Sequence, residues 1–362
     1  MKYPPAYYAD YLQLDKILSA QAPRSAEFGQ VAHDEMLFII VHQVFELWFK
    51  QILHELDSVR EMFLARYVDE KNIGVAVARL HRIITIQTVM IEQFRILETM
   101  TPLDFLAFRD FLAPASGFQS VQFRLIENKL GLRRTNRLDF DRTSYEKRLS
   151  DAHQHLVLQS EQEPSLFDLV EKWLERTPFL HFGNFDFWES YKTAVQTMLA
   201  QDRQTIEQNP TLSSEEKQRE LAQLSRTAEN FEALFSEDKH NALIRAGLRR
   251  LSYTAFKAAL LIMLYRDQPI LHLPFCFLTA LIDLDELFAT WRYRHSIMVQ
   301  RMIGTKIGTG GSSGYTYLKQ TVDGHRIFLD FFNLSTFLIP RSALPALPPE
   351  VERELGFYFG HA

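Results

Sequence analysis

Residues 33–50, with the sequence HDEMLFIIVHQVFELWFK, decide the fold class of this chain. The stretch contains neither Gly nor Pro and continues through QILHELDSVREMF, so its length and apolar spacing predict one long helix and not a strand. Asp34 and Glu35 lie at its start, where acidic side chains interact favourably with the positive end of a helix dipole. A long helix therefore organises the sequence on either side of it.

One face of this predicted helix carries a histidine among aromatic residues, namely Phe38, His42, Phe45 and Phe49. Residues spaced by three or four positions lie on the same side of a helix. His42 is then either a core histidine bonded to a neighbour or a histidine that faces an apolar ligand pocket. The stretch by itself leaves both interpretations open.

The composition provides ample material for a buried core, because 46% of the 362 residues are hydrophobic and 13% are aromatic. The net charge of -5 gives no sign of a nucleic-acid partner or of a basic membrane face. The single cysteine, Cys276, excludes an intrachain disulfide and fits a reducing compartment. The N-terminal residues lack the apolar segment of a secretory signal. The longest apolar runs, 258–265 and 270–282, are too short or too interrupted to span a bilayer. We expect a cytoplasmic protein with no membrane or nucleic-acid partner.

Helical spacing recurs along the rest of the chain, and no convincing run of alternating strands appears. The only hairpin-type signal, Asp323-Gly324, has flanks that are too short and irregular for a hairpin. The fold class predicted is therefore all-α, with a charged helical insertion that has a break at Asn209-Pro210. We predict four segments: an aromatic arm (1–30), a helical main domain (31–200 and 247–340), the insertion (201–246) and a proline-rich tail (341–362).

A glycine-rich loop, GTKIGTGGSSG at residues 304–314, is the most unusual segment of the chain. It matches neither phosphate-binding glycine signature, and it follows a helix instead of a strand. What remains is a flexible backbone that can approach a ligand closely, with hydroxyl groups such as that of Thr309. A loop that closes over a ligand explains so many glycines better than a plain linker does.

His295 lies on the predicted helix just before this loop, with Trp291 one turn behind it. It is either a core histidine or an axial haem ligand, with Arg292 and Arg294 available for the propionates. The H-E-x-x-H zinc pattern lacks its second histidine, and the absence of C-x-x-C-H excludes covalently attached haem. Cys276 lies in the apolar sequence PFCF, where a buried inert thiol is favoured over a thiolate haem ligand.

Arg109 lies in the apolar sequence FLAFRDFLAPASGFQS. A buried arginine must be paired, and Asp110 points elsewhere because adjacent residues on a helix diverge. Arg109 is therefore either half of a structural ion pair or a clamp for a ligand carboxylate, whose shape the guanidinium group matches.

Four motifs together resemble the tryptophan 2,3-dioxygenase family: HDEMLFIIVHQVFELWFKQ, FRDFLAPASGFQS, WRYRH and GTGGSSG. The resemblance extends over nearly the whole chain, and the insertion and the tail are similar to those of the longer, animal-type members. It implies an all-helical homotetramer, a dimer of dimers, with one non-covalent haem b per subunit. The main domain would then bind haem and catalyse the insertion of O2 across the C2–C3 bond of L-tryptophan, giving N-formylkynurenine.

The resemblance also implies roles for individual residues. His295 would be the proximal haem ligand, backed by Trp291, and His42 the distal histidine that faces the indole nitrogen. The resemblance further implies groups that line the haem edge or hold the substrate: Ser116 and Gly117 at the haem, Phe38 and Phe105 at the ring, Arg109 and Thr309 at the amino-acid group, and Tyr8, Tyr11 and Leu12 from the arm of a neighbouring subunit. Phe105 replaces the tyrosine of some members and so removes one hydroxyl contact.

Other functional classes remain open from the sequence. A haem or oxygen sensor would need only His295 and would have no use for a carboxylate clamp. A helical scaffold without cofactor would have no use for His295, and an oxygenase acting on an indole without a carboxylate would have no use for Arg109. Trp173 and Arg176, one turn apart, form either a second tryptophan site or a packing pair.

Overall fold

The computed structural model describes residues 3–65, 68–137, 145–178, 180–182, 185–306 and 314–357, and most of them are helical. The all-α prediction is confirmed. The α-helices are α1 (Tyr8–Leu12), α2 (Leu14–Leu18), α3 (Arg24–Glu27), α4 (Glu35–Leu64), α5 (Glu70–Leu97), α6 (Pro102–Arg109), α7 (Val121–Leu130), α8 (Asp151–Gln162), α9 (Leu166–Glu175), α10 (Phe187–Gln208), α11 (Ser214–Leu234), α12 (Glu237–Arg245), α13 (Tyr253–Leu264), α14 (Pro269–Ile303), α15 (Gly314–Gly324), α16 (Leu329–Asn333) and α17 (Pro349–Leu355).

Short elements connect these helices. The strands β1 (His181–Phe182) and β2 (Phe185–Asp186) form an antiparallel pair. The 3-10 turns are Asp110–Leu112, Gly117–Gln119, Arg134–Asn136, Tyr145–Arg148, Leu334–Phe337 and Arg341–Ala343. The Asp323-Gly324 signal lies at the end of α15 and forms no hairpin, as expected.

The chain divides into two compact units. Unit 1 comprises Met1–Asp57, Arg82–Glu163 and Leu284–Arg326, and unit 2 comprises Ser58–His81, Pro164–Asp283 and Ile327–Ala362. The segment 201–246 belongs to unit 2 and contains the last turns of α10 and the whole of α11 and α12. α11 buries Phe231 and Leu234, so this segment contributes apolar side chains to the core. The division into arm, main domain, insertion and tail stays a prediction.

α14 begins earlier than the sequence pattern indicated. In the sequence, uninterrupted apolar helical spacing begins only at Phe275, after Pro274, whereas α14 starts at Pro269 and includes Pro274. Pro269 occupies the first position, where its missing N–H would have no intrahelical acceptor in any case. Pro274 lacks a backbone N–H, so the helix loses the one hydrogen bond that this position would donate to the backbone oxygen of Ile270.

Two helices are long and apolar enough to cross a membrane by length and composition: α4 and the Lys71–Leu97 part of α5. Neither contains the apolar runs singled out in the sequence. Core helices of proteins without membrane spans meet the same criterion, so this observation is weak evidence for a membrane location.

The core of unit 1 is aromatic. Phe45 and Phe49 of α4 are 6% and 4% exposed, and both lie 6.1 Å from the ring of Trp291 on α14. Phe94 of α5 and Phe123 of α7 contact the same indole, with ring centroids 5.7 and 5.1 Å away. Four helices thus meet around one tryptophan, and this arrangement positions the site described next.

Candidate functional site

A cavity in unit 1 brings together most of the residues predicted from the sequence. Its walls come from α4, α5, α6, α7, α14 and α15 and from the turn Gly117–Gln119. The predicted site residues that line it are Phe38, His42, Phe105, Arg109, Ser116, Gly117, Trp291 and His295. These residues span most of the chain, so their convergence makes the cavity the candidate site; their individual roles stay predictions.

His42 lies on α4 with one ring nitrogen engaged. Its Nδ1 is 2.7 Å from the backbone oxygen of Phe38. Because a carbonyl oxygen can only accept, Nδ1 carries the proton in this contact. Burial lowers the pKa of His42, so the ring is neutral at neutral pH and Nε2 has a free lone pair. His42 can therefore accept a hydrogen bond from a ligand in the cavity.

His295 is a half-buried residue on α14 that lines the same cavity. Among the residues that the structure describes, no hydrogen-bond partner occurs for its ring nitrogens. Burial, together with the nearby His42, lowers the pKa of His295 to about 4. A neutral imidazole with a free lone pair is the form that binds a metal ion. Its chemistry therefore suits an axial ligand better than a core histidine bonded to a neighbour.

Trp291 supports His295 from one turn away, with ring centroids 5.2 Å apart. Phe94 also stacks on the imidazole, at 6.0 Å and an interplanar angle of 16°, and its ring lies 5.7 Å from that of Trp291. The indole Nε1 of Trp291 is buried and has no hydrogen-bond partner among the described residues. A buried indole N–H usually donates to an acceptor, so this orphaned donor points to a polar ligand atom in the cavity.

α6 carries the candidate substrate contacts. Thr101 caps the helix, accepting from the backbone N–H of Asp104, and Pro102 occupies its first turn, where a missing N–H costs no intrahelical hydrogen bond. At its end, the half-buried Arg109 lines the cavity together with Phe105. The ring of Phe105 lies 5.7 Å from that of Phe38, so α6 and α4 share an aromatic wall.

The turn Gly117–Gln119 forms the edge of the cavity. Ser116 caps it, since the hydroxyl oxygen accepts from the backbone N–H of Phe118 and the backbone N–H of Ser116 donates to Gln119 Oε1. A Cβ atom added at Gly117 would meet nothing within 4 Å. Open space therefore adjoins the backbone here, where a flat ligand could approach it.

The remaining predicted residues lie elsewhere. Tyr8 and Tyr11 are 75% and 78% exposed, and neither they nor Leu12 line the cavity of their own chain. Thr309 lies outside the described residues. The arm is thus available to another molecule, and its predicted role in a neighbouring subunit stays a prediction.

A buried charge cluster that lines the cavity was not predicted from the sequence. Glu127 of α7 is 2% exposed and accepts hydrogen bonds from Arg124 at 2.7 Å, Arg137 at 2.6 Å and Arg292 at 2.7 Å. His325 Nδ1 lies 3.5 Å from the same carboxylate. Burial by itself would raise the pKa of Glu127, but the three guanidinium charges and the His325 contact hold it well below its usual value.

Arg292 and Arg294 were candidate partners for haem propionates in the sequence. Arg292 is instead paired with Glu127, although it also lines the cavity, and Arg294 Nη2 lies 3.2 Å from Glu98 Oε1. The sequence WRYR shows that two arginines lie just before His295, but it does not show which carboxylates from other helices pair with them.

The structure also bears on two further interpretations made from the sequence. The predicted burial of Cys276 is wrong: the residue is half-buried, with Sγ 3.7 Å from Nε2 of the exposed His272 one turn away. Trp173 is 9% exposed and packs against Phe63 and Phe277 in unit 2. Arg176 Nε donates to the backbone of Lys172, so the structure favours the packing role for Trp173 over a ligand site. No group of three or more candidate metal ligands occurs within the described residues.

Comparison with known proteins gives a consistent result. A family model described as "Tryptophan 2,3-dioxygenase" matches residues 3–338. The tryptophan 2,3-dioxygenase of Bdellovibrio bacteriovorus is 55% identical over 99% of this chain and 100% of its own length. That of Xenopus tropicalis is 51% identical over 96% of this chain and 86% of its own length, and that of Mus musculus is 48% identical over the same shares. The full-length match in Bdellovibrio means that the long form is not confined to animals.

Proposed function

Since the chain belongs to the tryptophan 2,3-dioxygenase family, we propose that it binds haem b through His295 and opens the indole ring of L-tryptophan with O2. The product would be N-formylkynurenine, which contains both oxygen atoms of O2, and the reaction would be the first step of the kynurenine pathway. The observation that carries this proposal is the neutral His295 imidazole, which lines a cavity that also contains His42 and Arg109.

The residues of the cavity fit a haem group. His295 offers a lone pair with no competing hydrogen-bond donor among the described residues, and aromatic rings from α4, α5 and α7 provide apolar walls. The orphaned N–H of Trp291 suits the carboxylate of a propionate. Open space beside Gly117 gives the macrocycle edge an approach to the backbone. A bound haem iron would supply the chemistry that lets O2 react with the indole ring.

His42 would orient the indole ring. With Nδ1 donating to the Phe38 carbonyl, Nε2 is left to accept the indole N–H. The imidazole also packs against the ring of Phe38, with ring centroids 4.1 Å apart and an interplanar angle of 36°, so the hydrogen bond and this ring contact together fix its orientation. We infer that His42 acts by hydrogen bonding and positioning and not as an obligatory base, because holding the reacting bond in place is itself a large catalytic term.

Arg109 would bind the substrate carboxylate. Arg109 and Phe105 both line the cavity, and a bidentate pair between a guanidinium and a carboxylate gives both charge and direction. Phe105 cannot supply the hydroxyl that a tyrosine would, so this polar contact is absent here. Thr309 is our proposed contact for the ammonium group. A sensor that binds only haem would not need this set of groups.

The exposed arm supports a shared active site. Four tyrosines within residues 3–11 are each more than 70% exposed, and a terminal segment this aromatic needs a surface to cover it. We propose a homotetramer in which Tyr8, Tyr11 and Leu12 close the pocket of a neighbouring subunit and exclude water from it. A cytoplasmic location is part of the same proposal.

An absorbance spectrum of the dithionite-reduced protein with and without L-tryptophan tests the proposal directly. We expect a five-coordinate haem spectrum that changes when L-tryptophan is added. The variant His295→Ala should be purified with little haem, whereas the matched variant His42→Ala should retain it. Equal haem content in His295→Ala and in the wild type would refute the assignment of the ligand. A haem spectrum that does not respond to L-tryptophan would favour a sensor.

A further inference from the structure

We infer that Glu35, at the first position of α4, is a positioning residue for the substrate clamp Arg109. This inference rests on the proposed function, because it assumes that Arg109 binds the substrate carboxylate. The sequence explains Glu35 as an acidic residue that favours the start of a helix. In the structure its carboxylate binds backbone N–H groups of α3. Through α3, it connects α4 to the turn that follows α6.

The carboxylate of Glu35 is buried and committed to backbone groups. The side chain is 1% exposed, and its two oxygens accept from the backbone N–H groups of Arg24 at 2.7 Å and Ser25 at 3.0 Å. A residue that served only to complement the helix dipole would need no such contacts and would remain in water. Glu35 instead fixes the start of α3, eleven residues earlier in the chain.

The segment between α3 and α4 is closed by further hydrogen bonds. Ser25 is fully buried, and its hydroxyl oxygen accepts from the backbone N–H of Ala32 at 3.1 Å. The backbone N–H groups of Phe28 and Gln30 both donate to the carbonyl oxygen of Ser25. Residues 24–35 therefore form a rigid loop whose conformation depends on the Glu35 carboxylate.

This loop is connected to the clamp by a ring stack. Phe28 at the end of α3 stacks on Phe111, with ring centroids 5.0 Å apart and an interplanar angle of 12°. Phe111 lies in the turn Asp110–Leu112, which continues directly from Arg109 at the end of α6. Glu35 thus fixes α3, α3 presents Phe28, and Phe28 supports the turn that follows Arg109.

The same loop carries the arm. Gln43, on α4 next to His42, donates to the carbonyl oxygen of Ala20 at 3.0 Å and accepts from Gln21 at 2.7 Å. The chain before α4 is therefore attached to α4 at two positions. Glu35 holds Arg24 and Ser25, and Gln43 holds Ala20 and Gln21. A loosened loop would affect the clamp while leaving the haem ligand on α14 in place.

The test compares substrates with and without a carboxylate. In Glu35→Gln an amide nitrogen replaces one carboxylate oxygen and faces one of the two backbone N–H donors, so one hydrogen bond is lost and the loop loosens. We expect the KM for L-tryptophan to rise on the order of tenfold, because small displacements of a positioning group weaken binding strongly. The kcat, the haem content and the KM for tryptamine, which has no carboxylate, should change little.

Two variants separate positioning from general destabilisation. Phe28→Ala removes a side chain that is 55% exposed, so it should fold normally and still raise the KM for L-tryptophan. Glu61→Gln removes an exposed carboxylate from the same helix and should leave both constants unchanged. In an Arg109→Leu background, Glu35→Gln should have no further effect on KM, because the group that it positions is already absent.

The outcomes distinguish this inference from the proposed function. A wild type that does not oxidise L-tryptophan would refute the proposed function. A wild type that is active, with Glu35→Gln and Phe28→Ala both leaving the KM for L-tryptophan unchanged, would refute the positioning role alone. Equal losses with L-tryptophan and tryptamine, or additive losses in the Arg109→Leu background, would show that Glu35 is merely structural.

Discussion

The substitution Glu127→Gln removes the negative charge at the centre of the cluster that lines the cavity. The carboxylate is 2% exposed and accepts from three guanidinium groups at 2.6–2.7 Å. Glutamine keeps the shape, but its amide nitrogen would face donors that offer no lone pair. The variant therefore leaves buried arginines without their shared carboxylate, while the packing volume stays nearly constant.

The magnitude follows from the burial of the pairs. Each charge-assisted hydrogen bond is worth about 1.5–3 kcal/mol, but part of that offsets the desolvation of the charges. Removing one partner of a buried pair costs about 3–5 kcal/mol, and this is the loss of unfolding free energy that we expect. The control Glu92→Gln breaks a pair with Arg95 whose side chains are 56% and 74% exposed, so it should cost only about 0–1 kcal/mol.

The assay combines urea unfolding with hydrogen exchange of the α7 amides. A chain with two compact units need not unfold in one step, so the local measurement is required. The Arg charges hold the pKa of Glu127 below the ordinary value of 4.5. The Glu127 carboxylate therefore stabilises the folded state above that pH, and this part of the free energy of unfolding is lost as the pH falls through the folded pKa. The two proteins should therefore converge in acid. If Glu127→Gln shifts neither measurement more than Glu92→Gln does, the reasoning from burial is wrong.

Three further predictions concern the clamp, a buried histidine and the arm. Arg109→Leu should weaken L-tryptophan binding by about 2–3 kcal/mol, measured as KM, and leave tryptamine almost unaffected; equal losses would make Arg109 structural. Burial lowers the pKa of His240, whose Nδ1 accepts from Arg249 at 2.8 Å. The neutral His240 therefore contributes to the free energy of unfolding above pH 6.5, and this contribution is lost as the pH falls below that value. In His240→Gln the urea midpoint should therefore change less between about pH 8 and about pH 5.5 than in the wild type, and an unchanged slope would contradict this. A chain whose arm is deleted up to Leu12 and a His295→Ala chain should each be inactive alone but recover activity in mixed oligomers, because the second supplies an arm to the haem site of the first. If mixed oligomers assemble but stay inactive, the arm acts in the site of its own subunit.

Local pattern was sufficient for the fold class and for part of the site. The uninterrupted apolar spacing of residues 33–64 predicts α4, because a helix depends mainly on contacts between residues three and four positions apart. The same spacing places Phe38 and His42 on one face, and the structure has their rings 4.1 Å apart. The Thr101-Pro102 start of α6 is also local, since a cap involves only neighbouring residues.

The partners of charged side chains were decided by the tertiary structure. Glu127 meets Arg137 from a nearby turn and Arg292 from a distant helix, and no periodicity relates these positions. From the sequence, Arg292 was a candidate partner of a ligand and Glu35 a residue that complements a helix dipole. In the structure Arg292 pairs with the Glu127 carboxylate, and Glu35 accepts from two backbone N–H groups. Helix spacing specifies which face is apolar, but the free energy of a buried charge depends on groups that only the folded chain brings within hydrogen-bond distance.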